Sequence, residues 1–235
     1  MRGNISNEML LVAHKVCQTK RPLGTPVKCV KRNVPLASPW HKTSPWHTLI
    51  TVERKIQMRL FIAINFGEKL KNSIQNIIKD IKKYSRKGRF VKNEHMHLTL
   101  EFLGEIPAGE VALIEEAMEQ VSCRSFALEL SEIGRFKRRG GDIYWIGLRK
   151  NQSLFKMQKE LHNLLLEGGF ELESRKYNPH LTIGRRVVMD DTFDPDKYIE
   201  QLRGLNITVD KIDLMKSEHI DGKLKHTVIF SRAFH

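Results

Sequence analysis

The sequence contains only three cysteines among its 235 residues, Cys17, Cys29 and Cys123. This number excludes a disulfide-stapled scaffold and favours a reducing compartment, so we expect a cytoplasmic protein. Long apolar runs are also missing. No stretch approaches the roughly 20 residues that a membrane-spanning helix needs, and we expect no membrane partner. With 40% hydrophobic and 29% charged residues, the composition is typical of a globular protein.

Acidic residues are scarce relative to basic ones. Asp and Glu number 27 against 40 Lys and Arg, which gives a formal net charge of +13. Such an excess suggests a polyanionic partner, nucleic acid first, although a basic chain can also be merely soluble. The excess is concentrated in residues 1–57, which contain ten basic residues, two acidic residues and five of the eight prolines.

Residues 1–57 show no sustained helical or strand periodicity. A proline-rich, basic segment offers little material for a packed core, so we expect a disordered extension. The alternative, which we prefer, is that translation starts at Met58 and that the preceding residues are upstream sequence, because a folded pattern begins abruptly there. Residues 58–235 are then the functional domain.

From Met58 the chain follows regular periods. Alternation and short apolar runs predict strands, whereas apolar residues three and four positions apart predict helices. The predicted strands cover 59–65, 95–106, 126–136, 143–149, 178–186, 206–216 and 225–233, and the predicted helices cover 68–86, 109–121, 152–167 and 194–202. The order strand, helix, strand, helix, strand runs once and starts again at Ile143. We therefore predict an α+β fold of two pseudo-symmetric lobes, each a mainly antiparallel sheet with helices outside, and an active-site cleft between them.

One pattern occurs in both predicted lobes. Residues 95–106 read "HMHLTLEFLGEI" and residues 178–186 read "NPHLTIGRR". Because side chains alternate along a strand, His97 and Thr99 share one face, and His180 and Thr182 share one face of the other strand. Two matching lobes would bring both histidines to the same cleft.

Paired imidazoles across a cleft can act as acid and base in one reaction. With an ordinary pKa near 6.5, one ring can be neutral and remove a proton from water while the other is protonated and supplies a proton. The threonine hydroxyls can donate hydrogen bonds to nonbridging phosphate oxygens, and a nearby guanidinium would stabilise the charge that builds there.

Residues 58–235 resemble the 2H phosphoesterase superfamily, and within it the RNA 2′,3′-cyclic phosphodiesterases, once described as 2′-5′ RNA ligases. The similarity lies in "MRLFIAINF", "HMHLTLEFLGEI" and "NPHLTIGR". It implies hydrolysis of RNA 2′,3′-cyclic phosphate ends to 2′-phosphomonoesters, without a metal or other cofactor. By the family pattern, His97 is the proton donor and His180 the proton acceptor, while Thr99 and Thr182 bind the phosphate.

Two further residues follow from the resemblance. Arg185 matches the family's phosphate-contacting arginine; strict alternation would turn it away from His180, unless Gly184 bends the strand. Phe102 lies equally far after His97 and could stack on a base. It shares the face of Leu98 and Leu100 by alternation, so core packing is at least as well supported as stacking. The implied partners are RNA ending in a cyclic phosphate or a cyclic nucleotide, bound by a monomer.

Several alternatives stay open. The pocket could bind RNA or a nucleotide without turnover, or the same histidines could join 2′-5′ linkages as a side activity. The sequence contains no nucleotide-activating lysine motif, so we do not expect an ATP-dependent ligase.

His95 and His97 lie two residues apart on one strand face and could together begin a metal site. The second strand offers only one more histidine, so we expect no metal site. His162 is expected on a surface or boundary. Five basic residues are expected to end the first helix, where positive charges suit the helix dipole: Lys82, Lys83, Arg86, Lys87 and Arg89.

Overall fold

The computed structural model describes residues 57–234. The expectations for residues 1–57 therefore fall outside the described part, apart from Gln57. The strands are β1 (Gln57–Asn65), β2 (Ser85–Phe90), β3 (His97–Pro107), β4 (Phe126–Phe136), β5 (Asp142–Leu148), β6 (His180–Met189), β7 (Asn206–Val209), β8 (Lys211–Ile220) and β9 (Lys223–Ala233). The helices are α1 (Glu68–Lys82), α2 (Val111–Gln120), α3 (Gln152–Glu167) and α4 (Ile199–Leu202).

The strands form two antiparallel sheets. The first has the order β3-β1-β8-β9 and the second the order β2-β6-β5-β4-β7. In both sheets a His-x-Thr strand pairs with the strand that opens its half of the chain, so β3 lies beside β1 and β6 lies beside β5. The predicted α+β fold with two matching antiparallel lobes is confirmed.

The lobes do not coincide with the two halves of the chain. β4 was expected to close the first lobe, but it pairs with β5 in the second sheet. The physical reason is the short connection between these strands, which closes a local hairpin at little entropic cost. The predicted strand 206–216 breaks at Asp210. Its first part, β7, completes the second sheet, and its second part, β8, returns to pair with β1 in the first.

Strand β2 is the element that was not expected. The prediction of a helix over 68–86 is wrong at its end, because α1 stops at Lys82 and Ser85–Phe90 pairs with β6. The segment "SRKGRF" has no alternating apolar residues, since β2 is an edge strand with exposed side chains. The predicted helix 194–202 is a 3₁₀ turn, Pro195–Tyr198, followed by the single-turn α4; Asp194 caps it by accepting a hydrogen bond from the Asp196 amide.

The helices place the core away from the His-x-Thr faces. α1 buries one stripe, Ile74, Ile77, Ile78 and Ile81, and contacts β2 of the second sheet, while α3 buries another stripe, which begins at Leu154. The Asn151 side chain accepts a hydrogen bond from the Leu154 amide at 3.0 Å and caps α3. Among residues 57–234, no helix is long and apolar enough to cross a membrane.

Candidate active site

The two His-x-Thr strands contact each other across the sheets. β3 of the first sheet and β6 of the second sheet are in direct contact. Tyr177, three residues before His180, donates a hydrogen bond from its hydroxyl to the Thr99 carbonyl at 3.2 Å. Burial raises the pKa of this phenol, so it stays a donor. The backbone of the first motif is thus tied directly to the entrance of the second.

A β-bulge in β3 sets the direction of Phe102. Ala63 lies opposite Thr99 and Phe61 lies opposite Phe102, so β3 has one extra residue between these two pairs. The bulge resets the alternation and places Phe102 on the face of His97, where Phe61 lies 4.8 Å from the His97 ring and 6.1 Å from Phe102. The expectation that Phe102 lies on the core face is wrong: its side chain is 52% exposed.

The same irregularity occurs in β6. Trp145 lies opposite Thr182 and its neighbour Tyr144 lies opposite Gly184, so Ile183 is the extra residue. Arg185 consequently turns to the face of Thr182. Its positive charge helps to lower the pKa of both His97 and His180. The two bulges are equivalent: each brings the fifth residue after the histidine into the site.

His180 has a defined ring orientation. Its Nδ1 lies 2.8 Å from the backbone carbonyl of Asn178. Because a carbonyl oxygen only accepts, Nδ1 carries the hydrogen and Nε2 is left with a lone pair in the neutral ring. Phe136 and Trp145 flank the imidazole at 5.1 and 6.3 Å between ring centres. Burial, with Arg185 in support, lowers the pKa of His180.

His97 occupies a different environment. Burial above all, and then the neighbouring His226, lower the pKa of His97 to about 4, while a hydrogen bond to the backbone of His95 opposes the shift. The unliganded ring is therefore neutral near pH 7. An anion between Arg185 and the two threonines would counter this effect and favour protonation of the ring.

His226 is the residue that the sequence did not reveal. It stands alone on β9, within no motif, yet its ring centre lies 5.4 Å from His97, 5.0 Å from His95 and 5.2 Å from Phe61. Burial and the nearby His95 lower the pKa of His226. Among residues 57–234, the rings that pack against His180 are those of Phe136 and Trp145, and none is an imidazole. Within residues 57–234, no group of three or more His, Cys, Asp or Glu side chains is arranged to hold a metal ion.

A buried polar group fastens β3 to helix α3. The Glu101 side chain, 8% exposed, accepts a hydrogen bond from Gln158 Nε2 at 3.3 Å and lies 2.7 Å from His162 Nδ1. The expectation that His162 is only a surface or boundary residue misses this contact. Since Glu101 immediately precedes Phe102, its anchoring inside the protein holds the bulge in place.

The chain is similar to several known proteins. The sequence model of the 2′-5′ RNA ligase superfamily matches residues 70–221. A protein of Thermotoga maritima named RNA 2′,3′-cyclic phosphodiesterase is 34% identical over 169 residues, which cover 68% of this chain and 87% of that protein. A protein of the same name from Methanocaldococcus jannaschii is 36% identical over 136 residues, which cover 57% of this chain and 75% of that protein. The crystal structure of Escherichia coli LigT in its apo form matches with a TM-score of 0.65 at 23% identity, covering 76% of this chain and 98% of LigT.

Proposed function

Because this chain belongs to the 2′-5′ RNA ligase superfamily, we propose that it hydrolyses RNA 2′,3′-cyclic phosphate ends to 2′-phosphomonoesters. The observation that carries the proposal is the convergence of two histidines with one arginine. β3 and β6 are in contact, Arg185 lies on the face of Thr182, and each histidine has a threonine two residues further on the same strand face. The charge of Arg185 also helps to lower the pKa of both histidines. This set of groups fits a phosphate held between an acid and a base.

His180 acts as the general base. Its Nδ1–H is held by the Asn178 carbonyl, and its lowered pKa keeps the ring neutral near pH 7, so Nε2 can take a proton from water. The resulting hydroxide attacks phosphorus. A water molecule is the only reagent besides the cyclic phosphate.

His97 acts as the general acid. The bond between phosphorus and the 3′ oxygen breaks, and the departing oxygen receives its proton from His97, which leaves a free 3′ hydroxyl and a 2′-phosphate. Since the pKa of His97 is about 4 without ligand, the substrate's own negative charge must promote protonation of the ring. Arg185, Thr99 and Thr182 bind the nonbridging oxygens and stabilise the charge that develops there.

Phe102 and Phe61 offer an aromatic surface beside His97. The exposed ring of Phe102 packs near Phe61 on the site face, which is the arrangement needed to stack a nucleobase. The enzyme would also accept a nucleoside 2′,3′-cyclic phosphate, because these groups recognise the terminal nucleotide. The site takes residues from both sheets of a single chain, so we propose that the protein is a monomer, which light scattering in solution tests. We also propose that it acts in the cytoplasm.

The test is product analysis on a short RNA that ends in a 2′,3′-cyclic phosphate. We expect a 2′-phosphate as product and full turnover in EDTA, because the scheme uses no metal. His97→Ala and His180→Ala should each lower turnover by on the order of 10²–10⁴-fold. His219→Ala, which removes an exposed histidine on β8, is the matched control and should leave turnover unchanged. A chelator-sensitive reaction, or near-normal turnover in folded His180→Ala, would contradict the mechanism.

A further inference from the structure

Strand β2 brings a second arginine to the site. Arg89 lies directly opposite Arg185 in the antiparallel pair of β2 and β6. Directly opposed residues of such a pair project from the same face of the sheet. The next residue, Phe90, packs against the core, which agrees with Arg89 projecting towards the site face. Arg89 is exposed, so its guanidinium is accessible to a ligand.

This pair of arginines is unfavourable without an anion. Like charges directly opposite each other destabilise a sheet. Within the described part of the chain, neither guanidinium lies within 4.0 Å of a carboxylate, whereas Arg86 on the same strand pairs with Asp190 and Asp191. An RNA chain offers a phosphate to each arginine, because its phosphates follow one another along the backbone and a guanidinium binds phosphate oxygens through two parallel hydrogen bonds.

The geometry of β2 extends the positive charge beyond the site. Lys87, also exposed, lies two residues before Arg89 and has no carboxylate within ion-pair distance among the described residues. Gly88 allows the close approach of β2 to β6 between them: its φ is +144°, and a Cβ atom there would lie 2.7 Å from the Val187 side chain. Among residues 57–234, β2 is the edge of its sheet, so no further strand of this part pairs with its outer side and an extended chain can bind there.

We propose that Lys87 and Arg89 bind the phosphodiester groups on the 5′ side of the terminal nucleotide. The substrate is then an RNA chain whose cyclic end enters the site at Arg185 and whose backbone runs along β2. This inference rests on the proposed function and adds the substrate class, an oligonucleotide in preference to a mononucleotide.

The experiment compares two ligands and three variants. A five-nucleotide RNA ending in a 2′-phosphate and the matching nucleoside 2′-phosphate are titrated by calorimetry at two salt concentrations, with wild type, Arg89→Gln, Lys87→Gln and Arg86→Gln. We expect Arg89→Gln and Lys87→Gln each to weaken RNA binding by roughly 10–150-fold, as the loss of a charge-assisted hydrogen bond would. The salt slope should fall by about 0.7 for each phosphate that the variant no longer neutralises. The mononucleotide should bind as before.

Arg86→Gln is the matched control. It removes the same charge from the same strand, but from a side chain already paired with Asp190, and should change neither affinity. Equal losses for RNA and mononucleotide in Arg89→Gln would place Arg89 at the terminal phosphate and overturn the proposal. An equal loss of RNA affinity in Arg86→Gln would show that RNA responds only to the net positive charge of the protein, and it would also overturn the proposal. Binding is measured apart from turnover, so an inactive wild type that still shows these differences would contradict the hydrolase and leave the role of β2 in RNA binding standing.

Discussion

Replacement of His97 by glutamine should change how the stability of the protein depends on pH. The folded-state pKa of His97 is about 4 against an ordinary value of 6.5, because burial and the neighbouring His226 disfavour the charged ring, with His95 and Arg185 adding to the effect. The unfolded chain therefore binds a proton between these values that the folded chain does not. By linkage, the wild type loses stability as the pH falls from 6.5 towards 4.

The magnitude follows from the two pKa values. A single group with pKa 4 in the folded state and 6.5 in the unfolded state lowers the free energy of unfolding by about 2 kcal/mol between pH 7 and pH 5. Glutamine cannot titrate, so His97→Gln lacks this loss. All other groups contribute equally to the pH dependence of both proteins, apart from a smaller change at His226. Their contributions therefore cancel when the stability of the variant is compared with that of the wild type.

Urea unfolding at pH 7 and pH 5 measures the effect. We expect the wild type to lose about 2 kcal/mol more than His97→Gln over this interval. At pH 7 the variant should be the less stable of the two, because it loses the ring that packs 4.8 Å from Phe61. A constant difference between the two proteins at both pH values would show that His97 titrates normally and would refute the account of its environment.

The remaining predictions concern other side chains of the site and the N-terminal segment. Thr99→Ala and Thr182→Ala should each lower turnover by about tenfold, less than the loss of either catalytic histidine, because one hydrogen bond and no proton transfer is removed; steady-state kinetics measure this. Phe102→Ala should weaken nucleotide binding by about 1–3 kcal/mol in calorimetry, whereas Phe102→Tyr should bind normally, and equal affinities for all three proteins would exclude stacking. Glu101→Ala should reduce the free energy of unfolding by about 1–3 kcal/mol, since it leaves Gln158 without its buried acceptor; an unchanged urea midpoint would contradict this. Removal of residues 1–57 should leave turnover unchanged, and a large loss would show that they contribute to the domain.

Elements with strong local signals could be predicted closely from the sequence. Helix α3 matches its predicted range, because its apolar stripe is regular, Asn151 caps its start and two glycines follow its end. Strand β4 also matches its predicted range. The direction of Phe102 could not be predicted, because a bulge depends on the register with β1 and leaves no mark in the alternation of β3 itself.

Site residues that come from strands distant in the sequence could not be predicted either. His226 is a solitary histidine on the last strand, and only the pairing of β9 with β8, and of β8 with β1, brings it beside His97. Arg89 was predicted to lie near the end of a helix, because basic residues are favourable at a helix C-terminus. An exposed edge strand carries basic residues equally well, so the sequence did not distinguish the two. The His-x-Thr motifs were recognisable because each is contiguous.

The exchange of strands between the halves has a consequence for biosynthesis. Among the strands of residues 57–234, β1 is synthesised first, yet one of its two neighbours, β8, lies about 150 residues later in the chain. The first sheet therefore cannot close while the second half is still being made, and β1 must wait with one edge unpaired, the state in which a strand is most prone to wrong partners. Synthesis at 5–20 residues per second makes this wait on the order of ten seconds. The final strands thus decide when the whole domain, including the acid His97, becomes functional.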